Sequence, residues 1–162
     1  MPKPVLNDAK YENAVLFFLK YCNNKYLGAT KLNKLLYYLD FISYRDKKKP
    51  VTGDIYIHLD YGPVPENIDL VLAKLKASGT IDVEIVEYKG GFTFNYKATK
   101  DPIIEGFDEY EKKLLENICK EFELWNTDKI VEQTHLEAPW FYSKPYDPVD
   151  YSYAKDIEFF AE

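Results

Sequence analysis

The sequence predicts an α+β domain, mostly helical, with a small antiparallel sheet made of a hairpin and one further strand. Apolar residues recur with a helical period in six stretches and with a period of two in three. The chain has 162 residues, 46% of them hydrophobic and 30% charged, which fits one domain spanning 1–162. A chain of this size buries about 70% of the surface it exposes unfolded, so it has a core without needing staples.

Asn7 or Asp8 caps a first helix that runs to about Cys22, with Tyr11, Ala14, Val15, Phe18 and Cys22 on one face. Asn23, Asn24 and Gly28 break it. A second helix covers 30–45, with Leu32, Leu35, Leu36, Leu39 and Ile42 as its apolar stripe. Lys47, Lys48 and Lys49 follow where cations suit the macrodipole, and Pro50 stops the run. A strand follows over 54–60, in which Ile55, Ile57 and Leu59 alternate with other residues.

Tyr61-Gly62-Pro63 forms a turn, and Pro65 opens a helix over 65–78 with Ile68, Val71, Leu72 and Leu75 buried and Gly79 as terminator. A hairpin pairs Ile81, Val83 and Ile85 with Phe92, Phe94 and Tyr96 across a Lys89-Gly90-Gly91 turn. Asp108 and Glu111 make an acidic capping box for a helix carrying Leu114, Leu115, Ile118, Cys119 and Phe122. Thr127 caps a shorter helix with Ile130 and Val131, which Ala138-Pro139-Trp140 ends. A Pro- and Tyr-rich loop over 141–151 leads to a last helix with Ala154, Ile157 and Phe160.

Function classes fall away in turn. No apolar run approaches the ~20 residues of a membrane span, and Met1-Pro2-Lys3-Pro4 carries no signal-peptide stretch, so a cytoplasmic protein is expected. Cys22 and Cys119 read as small core residues, and no disulfide is expected in a reducing compartment. No two histidines stand at metal spacing, no glycine loop cradles phosphate and no nucleophile elbow is present. No metal, no cofactor and no catalytic cluster are therefore expected: the protein binds and does not catalyse.

Charge is unevenly spread. Residues 1–50 hold ten Lys or Arg against four Asp or Glu, whereas 101–162 hold six against sixteen. The 15 Tyr, 10 Phe and 2 Trp are the other anomaly, more tyrosine hydroxyls than one small core is expected to satisfy. Aromatic residues dominate interface energetics, and Tyr142, Tyr146, Tyr151 and Tyr153 are the surface candidates.

Three stretches, in this order and spacing, resemble a known family: Thr30-Lys31-Leu32-Asn33-Lys34-Leu35-Leu36-Tyr37-Tyr38-Leu39-Asp40, Tyr61-Gly62-Pro63-Val64-Pro65 and Thr134-His135-Leu136-Glu137-Ala138-Pro139-Trp140. With the closing Asp156-Ile157-Glu158-Phe159-Phe160 they look like the Panacea domain of the SocA-like antitoxins of bacteria and phages, over about 8–160.

The resemblance implies a cytoplasmic antitoxin that neutralises a cognate toxin protein by direct contact, or that hands it to a protease or chaperone as an adaptor. The partner-binding residues its motifs suggest are Tyr37, Tyr38, Tyr61, Pro63, His135 and Trp140, to which the aromatic loop adds Tyr142 and Tyr146. The expected surface joins the basic first half, the aromatic loop and the acidic C-terminal helices, the acidic part suiting a basic partner. The rival reading is a winged-helix-like nucleic-acid-binding transcriptional regulator, with the hairpin as wing. Against it stand the net charge of −6 and a recognition-helix candidate whose bases are Lys74 and Lys76 alone.

Overall fold

Helix α2, Ala29–Lys47, is the axis of the fold. Every residue from Leu35 to Ser43 is buried, which requires neighbours on all its sides. The computed structural model, which describes residues 5–22 and 27–162, supplies them. Before α2 comes α1 (Asp8–Tyr21); after it come the strands β1 (Tyr56–Leu59) and β2 (Gly62–Pro65), helix α3 (Ile68–Ala77) and the strands β3 (Ile81–Tyr88) and β4 (Gly91–Ala98). Then follow α4 (Glu109–Phe122), α5 (Thr127–His135), the one-turn α6 (Ala138–Phe141) and a 3-10 helix at Tyr151–Asp156. Against α2 pack α1, α4, α5, β2, β4 and the 3-10 helix. No helix among the described residues is long and apolar enough to cross a membrane.

The α+β class holds, and the strand count changes. The single strand expected over 54–60 is a hairpin of its own: β1 pairs antiparallel with β2 in the register Tyr56 to Pro65 and Leu59 to Gly62, separate from the β3–β4 sheet. Gly62 and Pro63 therefore lie in a strand, and Asp60-Tyr61 is the turn. Pro65 ends β2 instead of opening a helix, and α3 begins three residues later. The buried face of β1 is also inverted. Tyr56 and His58 point inward, while Ile57 and Leu59 are only half-buried, because the inner residues hydrogen-bond to α2 and to the loop after α6. That loop runs along the free edge of β1, with His58 N donating to Asp147 O and Tyr146 N to His58 O.

The helix ends follow the expected chemistry with two corrections. The Asn7 side chain caps α1, and Asp108 and Glu111 complete a reciprocal capping box on α4. Asn126, not Thr127, caps α5. The C-terminal segment makes a short 3-10 helix, Tyr151–Asp156, in place of the helix expected through Ile157 and Phe160. Phe160 has φ +58, incompatible with a continuing helix.

One further expectation is overturned. Cys22 and Cys119 are buried, as read, but they form a disulfide with Cα atoms 4.7 Å apart. Cys22 is the C-cap of α1 and Cys119 lies on α4; α1 packs on α4, so two separately buried cysteines meet. The expectation of more tyrosines than the core can hold stands: among the described residues Tyr21, Tyr61, Tyr142 and Tyr146 are exposed, and four are fully buried. Tyr11, Tyr37, Tyr38 and Tyr56 have no exposed surface, and each hydroxyl donates to a buried carboxylate: Asp54, Glu137, Glu137 again and Asp40. Buried acids and buried phenols satisfy one another.

Gly62 makes this packing possible. Its φ is +104, and a Cβ there would lie 2.6 Å from Thr134 Oγ1 and 2.7 Å from Lys34 Cε. Gly79 also has positive φ (+73), with open space around it. Gly62→Ala is expected to cost about 3 kcal/mol, from left-handed strain plus overpacking, and Gly79→Ala about 1 kcal/mol from strain alone. Urea midpoints at unchanged m-value measure both.

Candidate functional site

The motif residues converge on one cluster at the end of α2. Lys34, on a buried turn of that helix, donates from Nζ to Pro63 O at 2.8 Å, and burial pushes its pKa down to about 7. Thr134 turns its hydroxyl back to Val131 O at 2.7 Å. Trp140, brought in by the Pro139-initiated turn of α6, donates from its indole to Leu59 O at 2.9 Å. The rings of His58 and His135 stack on Trp140 with centroids 4.1 and 4.0 Å away. Two near-parallel rings that close to one indole must lie on its opposite faces.

Ser143 donates to Trp140 O and lies 2.7 Å from His58 Nδ1, which assigns that nitrogen the proton. Burial lowers the pKa of His135, and the nearby Lys34 and His58 act the same way against the Asp60 carbonyl that it faces. The two histidines thus converge, but on an indole and not on a ligand set. No group of three or more His, Cys, Asp or Glu able to hold a metal lies among the described residues. The cluster is a clamp that joins α2, the β1–β2 hairpin, α5 and α6.

Outside the clamp lies a groove of about 920 Å3, walled by the end of α4, by α5 and α6, and by the C-terminal segment. Its apolar wall is unusually open: Leu136, Phe141 and Tyr142 are 80%, 64% and 65% exposed. Glu121, Asp156 and Glu158 line it as exposed carboxylates. Glu137 lines it too, yet is buried: Oε1 accepts from Tyr37 at 3.0 Å, and Oε2 from Tyr38 and Gln133, each at 3.1 Å. Burial is the largest cause raising its pKa to about 7, against these three donors.

The residues read from sequence divide accordingly. Tyr37 and Tyr38 have no exposed surface and Pro63 is buried, so they cannot be contact residues; they hold Glu137 and Lys34 in place. His135 and Trp140 form the half-buried clamp. Tyr142 sits on the groove, whereas Tyr61 and Tyr146, 70% and 75% exposed, lie on the β1 side of the clamp.

Sequence reasoning missed Glu137, Phe141 and Leu136. The available signal was an acid next to an Ala-Pro helix start, in a motif whose histidine and tryptophan drew attention first. The basic first half is also less free than its charge suggests: Lys31 and Lys34 are buried, Lys10 pairs with Glu111, and Lys20 with Asp101.

Comparison with known families gives one match. The model of the antitoxin SocA-like, Panacea domain family matches residues 32–141, from the first turn of α2 to the end of α6. No curated protein matches the chain, and no solved structure does. The match takes in the stacked rings of the clamp and the groove walls of α4, α5 and α6; Tyr142, Ser143, Asp156 and Glu158 fall outside it.

Glu137 gives this arrangement a pH signature. Its folded pKa lies above the unfolded value of 4.5, so its contribution to stability is complete below about 4.5 and is lost as pH rises through about 7. Glu137→Gln is expected to remove that decline. Melts of parent and variant from pH 4 to 8 should diverge in the variant's favour between those limits, by on the order of 2 kcal/mol.

Proposed function

This chain belongs to the Panacea-domain family of SocA-like antitoxins, and we propose that it neutralises a cognate toxin by direct, non-catalytic contact through the groove face. One observation carries the reading: three exposed apolar side chains, Leu136, Phe141 and Tyr142, border three exposed carboxylates, Glu121, Asp156 and Glu158. None of those carboxylates forms an ion pair with a base among the described residues. Open aromatics supply contact area at low entropic cost, and unpaired acidic charge steers a basic partner. The residues of the core motif support this face from beneath.

Duplex DNA is a poor fit to this distribution. Lys74 of α3 faces Glu12 at 3.4 Å, and the first-half lysines named above are buried or paired. A toxin surface that itself attracts nucleic acid is the complementary partner, and covering it is the proposed means of neutralisation.

Growth rescue against the product of the neighbouring reading frame, with binding kinetics on the same variants, is the test. Tyr142→Ala is expected to leave the melt unchanged, to speed dissociation at least tenfold and to abolish rescue, since hot-spot aromatics contribute about 2 kcal/mol or more. Glu121→Lys is expected to slow association in a salt-sensitive way. Toxin levels should stay constant during rescue. Protease-dependent loss of toxin would point to adaptor action, and normal binding by the tyrosine variant would place the interface elsewhere.

A further inference from the structure

We infer that the groove receives an arginine side chain of the bound protein, the guanidinium directed at Glu137 and the stem laid along the aromatic wall. This rests on the groove face being the contact surface, and it adds what that surface recognises.

Charge is the first ground. Four carboxylates line the groove, and no Lys, Arg or His does. Three of the bases close by, Arg45, Lys31 and Lys129, are committed to other groups. Arg45 donates to the carbonyls of Ile157 and Phe159 at 2.6 and 2.7 Å, which fixes the C-terminal wall while leaving Asp156 and Glu158 unpaired. Lys31 donates to Phe122 O and Trp125 O, and Lys129 lies 4.0 Å over the Trp125 ring.

The floor is the second ground. Three donors occupy Glu137, two on Oε2 and one on Oε1. A carboxylate has about four acceptor sites, so one remains, on Oε1. An apolar occupant would strip water from that oxygen and give nothing back. A cation would hold the carboxylate ionised against the burial that pushes its pKa up to about 7.

Shape selects among cations. The walls include Trp125, Phe141, Tyr142 and Phe159, flat apolar faces against which an alkyl stem packs and a planar guanidinium stacks. An ammonium is compact and strongly hydrated, and it gains less from such walls. The groove therefore favours arginine over lysine.

The test is an NMR titration of the full chain with the peptide acetyl-Gly-Leu-Arg-Leu-Gly-amide. Two further peptides carry lysine or citrulline, the neutral isostere, in place of arginine. Saturable shifts are expected at amides 121, 133–138, 140–142 and 156–160. Affinity should fall at least tenfold for citrulline and severalfold for lysine.

Glu137→Gln should weaken the arginine peptide about tenfold. Because that variant changes a buried network, Glu158→Lys on the exposed rim is the second probe, and it should act in the same direction with an unchanged melt. Glu66→Lys, remote from the groove, should change nothing. Equal binding of the citrulline peptide, shifts centred elsewhere, or no binding would overturn the inference. Growth rescue separates the two readings: rescue without arginine preference refutes the groove's specificity alone, while arginine preference without rescue refutes toxin neutralisation alone.

Discussion

Helix α2 carries charged and phenolic side chains into the core, and a buried polar group that lacks a partner costs more than most single contacts return. They therefore take hold of four different segments. Lys31 donates to the carbonyls of Phe122 and Trp125 at the C-terminal end of α4, where a cation also suits the helix dipole. Lys34 holds Pro63 of β2. Asp40 accepts from the amides of Val51 and Thr52 and from the hydroxyls of Thr52 and Tyr56, anchoring the loop before β1. Tyr37 and Tyr38 reach Glu137 at the entrance to α6. The order of polar residues along one helix sets where four other parts of the chain are placed.

This explains why the groove face is built from residues that the motifs only frame. The clamp of His58, Trp140 and His135 fixes α6 against the β1–β2 hairpin. With α6 fixed, Phe141 and Tyr142 stand open on the groove rather than folding back onto the core. The opposite wall, with Asp156 and Glu158, depends on Arg45 at the far end of α2 through its bonds to the backbone of Ile157 and Phe159. A rigid scaffold thus presents an open surface, which is the usual division of labour between core and loop.

Much of this was legible in the sequence. Period and capping chemistry located α1, α4 and the β3–β4 hairpin closely, since local residues determine those features: Asn7, the Asp108–Glu111 pair and the Lys89-Gly90 turn. What failed depended on distant partners. Tyr37 and Tyr38 count as contact candidates on the motif alone, because the acid that satisfies them lies about a hundred residues away. The alternation of β1 was assigned to its aliphatic face, whereas Tyr56 is drawn inward by Asp40. The disulfide, likewise, joins positions 97 residues apart that period analysis placed correctly but separately. Glu137 was hidden for a related reason: its role comes from the phenols beneath it, not from its neighbours in the chain.

Native-state hydrogen exchange on Lys34→Met and Lys31→Met tests most directly whether each buried side chain of α2 holds its own segment. Methionine keeps the volume and removes the donor. With Lys34→Met, protection should fall at Gly62, Val64 and the amides of Phe141 and Tyr142, while Ile118 to Phe122 at the end of α4 stay protected. Lys31→Met should give the reverse pattern. A uniform loss of protection in both variants, or none in either, would contradict the claim that these contacts place the segments one by one.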